Sequence, residues 1–219
     1  MNARDQDSAA EQGDQPPVYL VDDDSAVRDA IAFLLDSVTI ECKAFSSAAE
    51  FLDGYGGDAG VLILDVRMPQ MSGLELQDLL QERGINDLSI IFISGHGDIP
   101  MAVEALKRGA VDFLPKPFRD QDLLDRVQTA MHECREGQRE AADLKDIQRR
   151  IESLTPRERQ VMGMVADGKA NKVVALDLEI SQRTVEIHRT HVMEKMGVRN
   201  LAHLVRMLHQ VDYFSRQTE

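Results

Sequence analysis

Val18-Tyr19-Leu20-Val21-Asp22-Asp23-Asp24 is an apolar run of strand length that ends, without polar alternation, in three carboxylates. A strand that does not alternate is covered on both faces, as in a parallel sheet. Three further runs read the same way. Val61 to Leu64 meets Asp65, Ile90 to Ile93 meets Ser94, and the weaker Val111 to Leu114 is followed almost at once by Lys116-Pro117. Ile40 to Phe45 is more polar and suits an edge strand. Between these runs, apolar residues recur at helical spacing, as in Val27, Ala30, Ile31, Leu34, Leu35 and in Ile99, Ala102, Val103, Leu106. The pattern is (βα)5, an α/β domain with a doubly wound parallel sheet.

Ligands of such sheets bind beyond the carboxyl ends of the strands, near the point where strand order reverses. Asp22, Asp23, Asp24, Asp65, Ser94 and Lys116 all fall at that edge. A single strand-end Asp is commonly a turn former or helix cap, but that reading does not explain several positions falling in step with the strands. Converging carboxylates repel, so they call for a cation, and an all-oxygen donor set with open positions suits Mg2+ better than zinc. Lys116 can pair with a carboxylate or with a phosphoryl group placed on one. Phe113 taken alone reads as core packing.

The stretches Val18 to Asp24, Leu64-Asp65-Val66-Arg67-Met68-Pro69 with Ser72-Gly73, Ile93 to Asp98 and Phe113 to Phe118 resemble the receiver domain of bacterial two-component response regulators over about residues 17–135. That resemblance implies a flavodoxin-like (βα)5 receiver in which Asp65 is the phosphoacceptor, taking a phosphoryl group from a sensor histidine kinase. It implies Mg2+ held by Asp23, Asp65 and the backbone carbonyl of Arg67, with Asp22 acting largely through water. Lys116 would contact the phosphoryl oxygens, with a cis peptide before Pro117. Ser94 and Phe113 would be the switch pair, Ser94 donating its hydroxyl to the phosphoryl group and Phe113 turning inward. Self-modification and slow self-dephosphorylation would be its only catalysis. Met68, Pro69 and Gly73 read as turn and helix-start chemistry.

The 219 residues carry 43% hydrophobic and 29% charged side chains, an ordinary globular composition large enough for two modest domains. The net charge of −13 at first argues against nucleic acid. Its distribution reverses that inference: residues 1–119 carry −12, residues 120–153 carry −3, and residues 154–212 carry +2. No apolar run approaches the ~20 residues that cross a bilayer. Met1 to Gln15 is polar and acidic, unlike a secretory leader, so a cytoplasmic protein without membrane contact is expected. Cys42 and Cys134 are too isolated for a disulfide framework or a zinc motif and read as reduced packing residues.

Beyond Phe118, one helical stripe (Leu123, Leu124, Val127, Ala130, Met131) is followed, after Gly137, by a second (Leu144, Ile147, Ile151, Leu154). The second suits either a short helix packing on its own domain or a linker or dimer coil. Thr155-Pro156-Arg157-Glu158 has the form of a capping box with proline at the first helical position. Helices are expected at Asn171 to Glu179, Gln182 to Met196 after the cap Ser181, and Leu201 to Val211. This compact helix-turn-helix pattern, with Arg183, Arg189 and Lys195 on its second element, points to DNA.

Leu154 to Arg159, Asn171-Lys172, Ile180 to Arg189 and Val192 to Met196 resemble the four-helix effector of LuxR/NarL/FixJ-type regulators, with the FixJ-like branch nearest overall. The implied organisation is a disordered extension at 1–16, a receiver at 17–135, a helical linker at 136–153, an all-α four-helix helix-turn-helix domain at 154–212 and a tail at 213–219. By motif position Glu186, Ile187 and Thr190 face base edges, and Lys172, Arg183, Thr184, Arg189 and Lys195 are phosphate contacts. Glu186 stands where NarL-like members often have Lys, so a carboxylate there would accept from cytosine or orient a neighbouring Arg. His188, His191 and Glu194 recur at i, i+3 and i+6, but without an H-E-x-x-H motif a DNA-facing helix explains them better than a metal face.

The implied partners are a sensor histidine kinase, double-stranded DNA, RNA polymerase and, once phosphorylated, a second copy of the chain, joined near Ile99 to Lys107 and Val111. The resemblance thus implies a phosphorylation-controlled transcription regulator, with activation the expected sense, and two alternatives compete with it. An aspartyl-phosphate-forming phosphohydrolase would usually carry an acid two residues after its nucleophile, where this chain has Arg67. A ligand-sensing LuxR-type regulator would need an apolar pocket in place of the acidic cluster.

Overall fold

The computed structural model describes residues 15–95 and 99–215. The chain forms two units, divided between Gln138 and Arg139. In the first, β1 (Val18–Val21) pairs in parallel with β2 (Cys42–Phe45) on one side and β3 (Gly60–Asp65) on the other. Next to β3 come β4 (Leu88–Ser94) and β5 (Asp112–Pro115), giving the strand order β2-β1-β3-β4-β5. β1 and β3 are buried along their whole length, which is why their sequences do not alternate. The more polar β2 is at the edge, as its composition predicts.

Helices α1 (Ser25–Asp36), α2 (Ala48–Gly54), α3 (Gly73–Glu82) and α4 (Ile99–Lys107) alternate with the strands, and α5 (Asp120–Glu152) follows β5. Successive strand side chains point to opposite faces, so the sheet feeds two cores. Val18, Leu20, Ile63, Ile91 and Ile93 pack on Ile31 and Leu35 of α1 and on Leu123, Leu124 and Val127 of α5. Tyr19, Val21, Leu62, Leu64 and Phe92 pack on Phe51 of α2, Leu76 and Leu80 of α3 and Ala105 of α4. Each fully buried Leu or Ile stabilises the fold by about 1.5–3 kcal/mol relative to exposure. These strands therefore cannot slip register without exposing a whole layer. The connections leave β1 and β3 on opposite sides of the sheet, which opens the crevice where strand order reverses.

The helix runs through Gly137, which separates the two apolar stripes. α5 is one helix of 33 residues, because an interior glycine costs only about 1 kcal/mol against Ala and helical propensity on both sides outweighs it. The stretch 136–153, expected as a helical linker, is helical to Glu152, and its last turns pack in the second unit. There Ile147 is buried and Ile151 packs beside it, against Leu154, Met162, Val192, Met196 and Leu204.

The second unit adds α6 (Pro156–Ala166), α7 (Asn171–Asp177), α8 (Gln182–Met196) and α9 (Leu201–Ser215). Thr155 and Glu158 form the capping box read from the sequence, and Ser181 caps α8 by accepting from the Thr184 N–H. Gly197, at φ +66°, ends α8 in the left-handed conformation that glycine adopts without strain. Val161, Val165, Val174, Leu178 and Val185 make a second small core among α6, α7 and α8. α9 runs past its expected end at Val211 to Ser215. Residues 1–14 of the expected extension, 216–219 of the expected tail and 96–98 of the Ile93 to Asp98 stretch lie outside the described residues. Among the described residues no helix is long and apolar enough to cross a membrane, and Cys42 and Cys134 are free thiols.

Candidate functional site

At the crevice between β1 and β3, two buried carboxylates share one ammonium. Asp22, 1% exposed, receives the Lys116 Nζ on Oδ2 at 2.6 Å and the Asp24 N–H on Oδ1 at 2.9 Å. Asp65, 6% exposed, receives the same Nζ on Oδ1 at 2.8 Å and the Arg67 N–H on Oδ2 at 2.7 Å. Arg28 donates to the Asp22 carbonyl at 2.7 Å, holding the turn after β1. Lys116 is placed by its own N–H, which donates to the Ser94 carbonyl at 2.7 Å, and a cis peptide joins it to Pro117. Burial pushes the Asp65 carboxyl up from its ordinary value, against the opposing effect of Lys116 and with further help from Asp22. Burial alone would lower the Lys116 ammonium, yet its hydrogen bonds to Asp22 and Asp65 outweigh this and raise it.

Gly73 is fixed by this packing. Its N–H donates to the Val66 carbonyl at 3.0 Å, and a Cβ there would lie 2.3 Å from the Asp65 carbonyl oxygen. Asp23 is exposed at the rim. Asp24 is drawn off into capping α1, accepting the Ala26 N–H at 2.9 Å. Ser94 is buried at the end of β4. Phe113 is half-buried with its ring 6.5 Å from that of Phe92, which agrees with core packing. Beyond it lies an exposed apolar stripe: Ile99, 78% exposed, with Val103, Leu106 and Val111.

Two carboxylates and one ammonium leave a net negative charge in the crevice. Among the described residues no three His, Cys, Asp or Glu side chains converge as a ready-made cage; the Lys116 ammonium stands between Asp22 and Asp65. The donor chemistry, all oxygen and mostly anionic, fits a hard cation such as Mg2+ and not zinc.

In the second unit, Val185, Val192 and Met196 bury one face of α8. Its opposite face presents Arg183, Glu186, Ile187, Thr190 and Glu194, with Ile187 at 48% exposure. Arg189 donates to the Asn171 side chain at 2.9 Å, tying α8 to the start of α7, where Lys172 is exposed. The Thr184 hydroxyl lies 2.8 Å from that of Ser181, and the Thr190 hydroxyl donates to the Glu186 carbonyl at 3.0 Å.

Residues 18–128 match the response regulator receiver domain family, and residues 152–208 match the LuxR family of bacterial regulatory proteins. The response regulator protein TmoT of Ectopseudomonas mendocina is 49% identical over 191 residues, 87% of this chain and 86% of that protein. The chain belongs to the two-component response regulators with a LuxR-type DNA-binding domain. The transcriptional regulatory protein FixJ of Rhizobium meliloti is 46% identical over 192 residues, 87% of this chain and 93% of that one. The structure of the response regulator StyR superposes with a TM-score of 0.82 at 41% identity, covering 90% of this chain and 99% of that one. The regulator is thus a transcription factor and not a metabolic enzyme. Receiver domains as a class bind Mg2+ at the acidic site.

Of the residues singled out by sequence, the response regulator's fold brings Asp22, Asp65 and Lys116 into direct contact, with Ser94 joined to Lys116 through the backbone. Arg183, Glu186, Ile187 and Thr190 share one face. Lys195 stands apart from them: its ammonium is 2.7 Å from Glu158 Oε2. Sequence reasoning missed Arg199 and Asn200, which line a groove with Glu186, Arg189 and Thr190; the available signal was Asn200 as the cap of α9, accepting the His203 N–H.

The hydrogen bond from Lys195, with that from the Thr155 N–H, lowers the Glu158 carboxyl from 4.5 to about 2. A carboxyl depressed in the folded state stabilises it fully above its unfolded value, and that contribution is lost as pH falls from about 4.5 to about 2. Hydrogen exchange of residues 156–196 should therefore lose protection across this window in the wild-type chain and change less in Glu158→Gln. Equal losses in both would remove the pair from the stability of the unit.

Proposed function

We propose that Asp65 is the phosphoacceptor and that its modification turns the regulator into a DNA-binding dimer. The observation carrying this reading is the single ammonium of Lys116 held between Asp22 and Asp65. A carboxylate oxygen of Asp65 attacks phosphorus in line; the phosphorus–nitrogen bond of a kinase phosphohistidine breaks, and the imidazole leaves with the electron pair. The Asp22, Asp23 and Asp65 carboxylates and the Arg67 carbonyl are the groups that would hold Mg2+, which supplies charge neutralisation to the transferring oxygens when bound. Lys116 moves a hydrogen bond from the carboxylate to a phosphoryl oxygen, which is also a charge-assisted partner.

Ser94 donates its hydroxyl to the same group, and Phe113 turns further into the core. The differential contact is the phosphoryl dianion, and the two-state element it biases is the α4–β5 face. Ile99, Val103, Leu106 and Val111 expose an apolar stripe there that a second copy covers. Dimerisation then sets two α8 helices on paired half-sites, where the second module benefits from effective concentration. Glu186, Ile187 and Thr190 meet base edges, while Lys172, Arg183, Thr184 and Arg189 meet phosphates. The receiver occupies 17–135. The effector is extended from 154–212 to include the last turns of α5. The regulator works in the cytoplasm and activates transcription through RNA polymerase.

Purified protein given Mg2+ and beryllofluoride should shift from monomer to dimer in sedimentation and bind DNA more tightly. Val103→Glu places a charge in the stripe and should weaken that dimer at least tenfold, while phosphoryl uptake from acetyl phosphate continues. Undiminished dimerisation of Val103→Glu would place the interface elsewhere, and rapid multiple turnover of a phosphate ester without change in assembly would favour a phosphohydrolase.

A further inference from the structure

The far end of α8 is gripped by charged groups that none of the proposed base contacts use. Arg150, near the end of α5, donates from Nη1 to the Met196 carbonyl at 2.8 Å, while its Nη2 pairs with Asp146 at 2.7 Å. Gly197 makes this approach feasible: a Cβ there would lie 2.4 Å from Arg150 Nη1. One residue earlier, Lys195 Nζ reaches Glu158 Oε2 at 2.7 Å and the Ser153 carbonyl at 3.4 Å. Glu158 is 4% exposed, and its Oε2 also takes the Thr155 N–H at 2.9 Å. The last turn of α8 is thereby joined to the last turns of α5, to the turn that follows them and to the first turn of α6.

We infer that Arg150 and Lys195 are positioning residues for DNA recognition, which with Glu158 set the roll and slide of the reading helix by holding its C-terminal turn. This rests on α8 being that helix.

Val185, Val192 and Met196 fix which face of α8 is buried, but apolar contact is non-directional, so it leaves the fine roll and slide of the helix less sharply defined than a directional bond does. Hydrogen bonds are directional and weaken steeply off axis, and here two cations fix one turn. α8 is a rod of 15 residues, about 22 Å long, so a displacement at Met196 is carried to Arg183 and Ile187. The Arg150 guanidinium also faces the negative end of the helix, where a cation is favoured. Lys195 is thus moved from the phosphate contacts to the support behind them. Its charge is neutralised by a buried carboxylate and is not available to release a counterion from DNA.

The test uses the full chain loaded with beryllofluoride and two probes: a duplex selected by the wild-type protein from a random library, and a scrambled duplex of equal length. Arg150→Met and Lys195→Met should each lose about tenfold in affinity for the selected duplex, change little on the scrambled one and keep the wild-type salt dependence. Arg183→Met, the comparison, should weaken both probes alike and flatten the slope of log affinity against log salt by about 0.9 for each phosphate it no longer neutralises. Arg150→Lys keeps a donor for the Met196 carbonyl and should recover most of the selectivity, which separates positioning from simple unfolding.

Three results would overturn the inference: a slope flattened by Arg150→Met or Lys195→Met, an equal loss on both probes, or an Arg150→Lys as defective as Arg150→Met. If Arg183→Met and Ile187→Ala also bound both probes like the wild type, α8 would not be the reading helix. The reading on which the inference stands would then fall first.

Discussion

Asp65→Asn is expected to be more stable than the wild-type chain in chelator-treated buffer and unable to respond to a phosphodonor. The two effects have one origin. At neutral pH the crevice holds two buried carboxylates against one ammonium. Burial raises the Asp65 carboxyl above its ordinary value, so its ionised form opposes folding wherever pH exceeds that value, and the deficit disappears as pH falls through the folded one. Asn removes the charge and keeps the shape, leaving Asp22 and Lys116 as a balanced pair. A gain of about 1 kcal/mol corresponds to roughly 2–4 °C in a chain of this size. Added Mg2+ should stabilise the wild type and narrow the difference.

With no carboxylate at 65, acetyl phosphate should leave no acyl phosphate on the protein, and beryllofluoride should drive neither dimerisation nor tighter DNA binding. Calorimetry with and without Mg2+, beside phosphoryl stoichiometry, measures both halves. A variant that melts earlier than wild type without Mg2+, or that still assembles on beryllofluoride, contradicts the charge argument and the phosphoacceptor assignment respectively.

How much of this was legible in the sequence depends on the range over which each feature is decided. Asp22, Asp65, Ser94 and Lys116 could be grouped because strand ends in a parallel sheet share one edge, so the topology converts four distant positions into neighbours. The ends of α8 were legible because Ser181 and Gly197 act locally. Asp24 follows Asp22 and Asp23 at the same strand end but caps α1. Asp and Asn serve both uses, and only backbone geometry decides between them.

Partners far apart in the chain left no such trace. Nothing local says that Lys195 will meet Glu158 or that Arg150 will meet the end of α8, 46 residues away. A cation on a helix is read as exposed until its partner is known. The stripe through Ile147 and Ile151 likewise announces a buried face without naming what covers it, so the beginning of the effector core was invisible until Met162, Val192 and Met196 were seen against it.

Lys116→Met separates the two tasks of the ammonium, because Mg2+ can replace one and not the other. Without the cation, Asp22 and Asp65 face each other unpaired, and removing one partner of a buried ion pair costs about 3–5 kcal/mol. Lys116 keeps about a fifth of its side chain exposed, so water recovers part of that loss and about 2 kcal/mol is the expected penalty. Mg2+ should restore most of it, because a divalent ion balances the same two carboxylates. The melting temperature of Lys116→Met should therefore rise more steeply with Mg2+ than that of the wild type.

Signalling should not be restored. Lys116 is joined through its N–H to the Ser94 carbonyl, so a side chain drawn toward a phosphoryl group pulls on the end of β4 beside the apolar α4–β5 face. A methionine cannot make that hydrogen bond. Phosphorylated Lys116→Met should thus accept the phosphoryl group, more slowly, yet dimerise at least tenfold less than the phosphorylated wild type at equal occupancy. Sedimentation at matched stoichiometry decides the point: a full-strength dimer from Lys116→Met would show that the phosphoryl group reaches α4 through Ser94 alone.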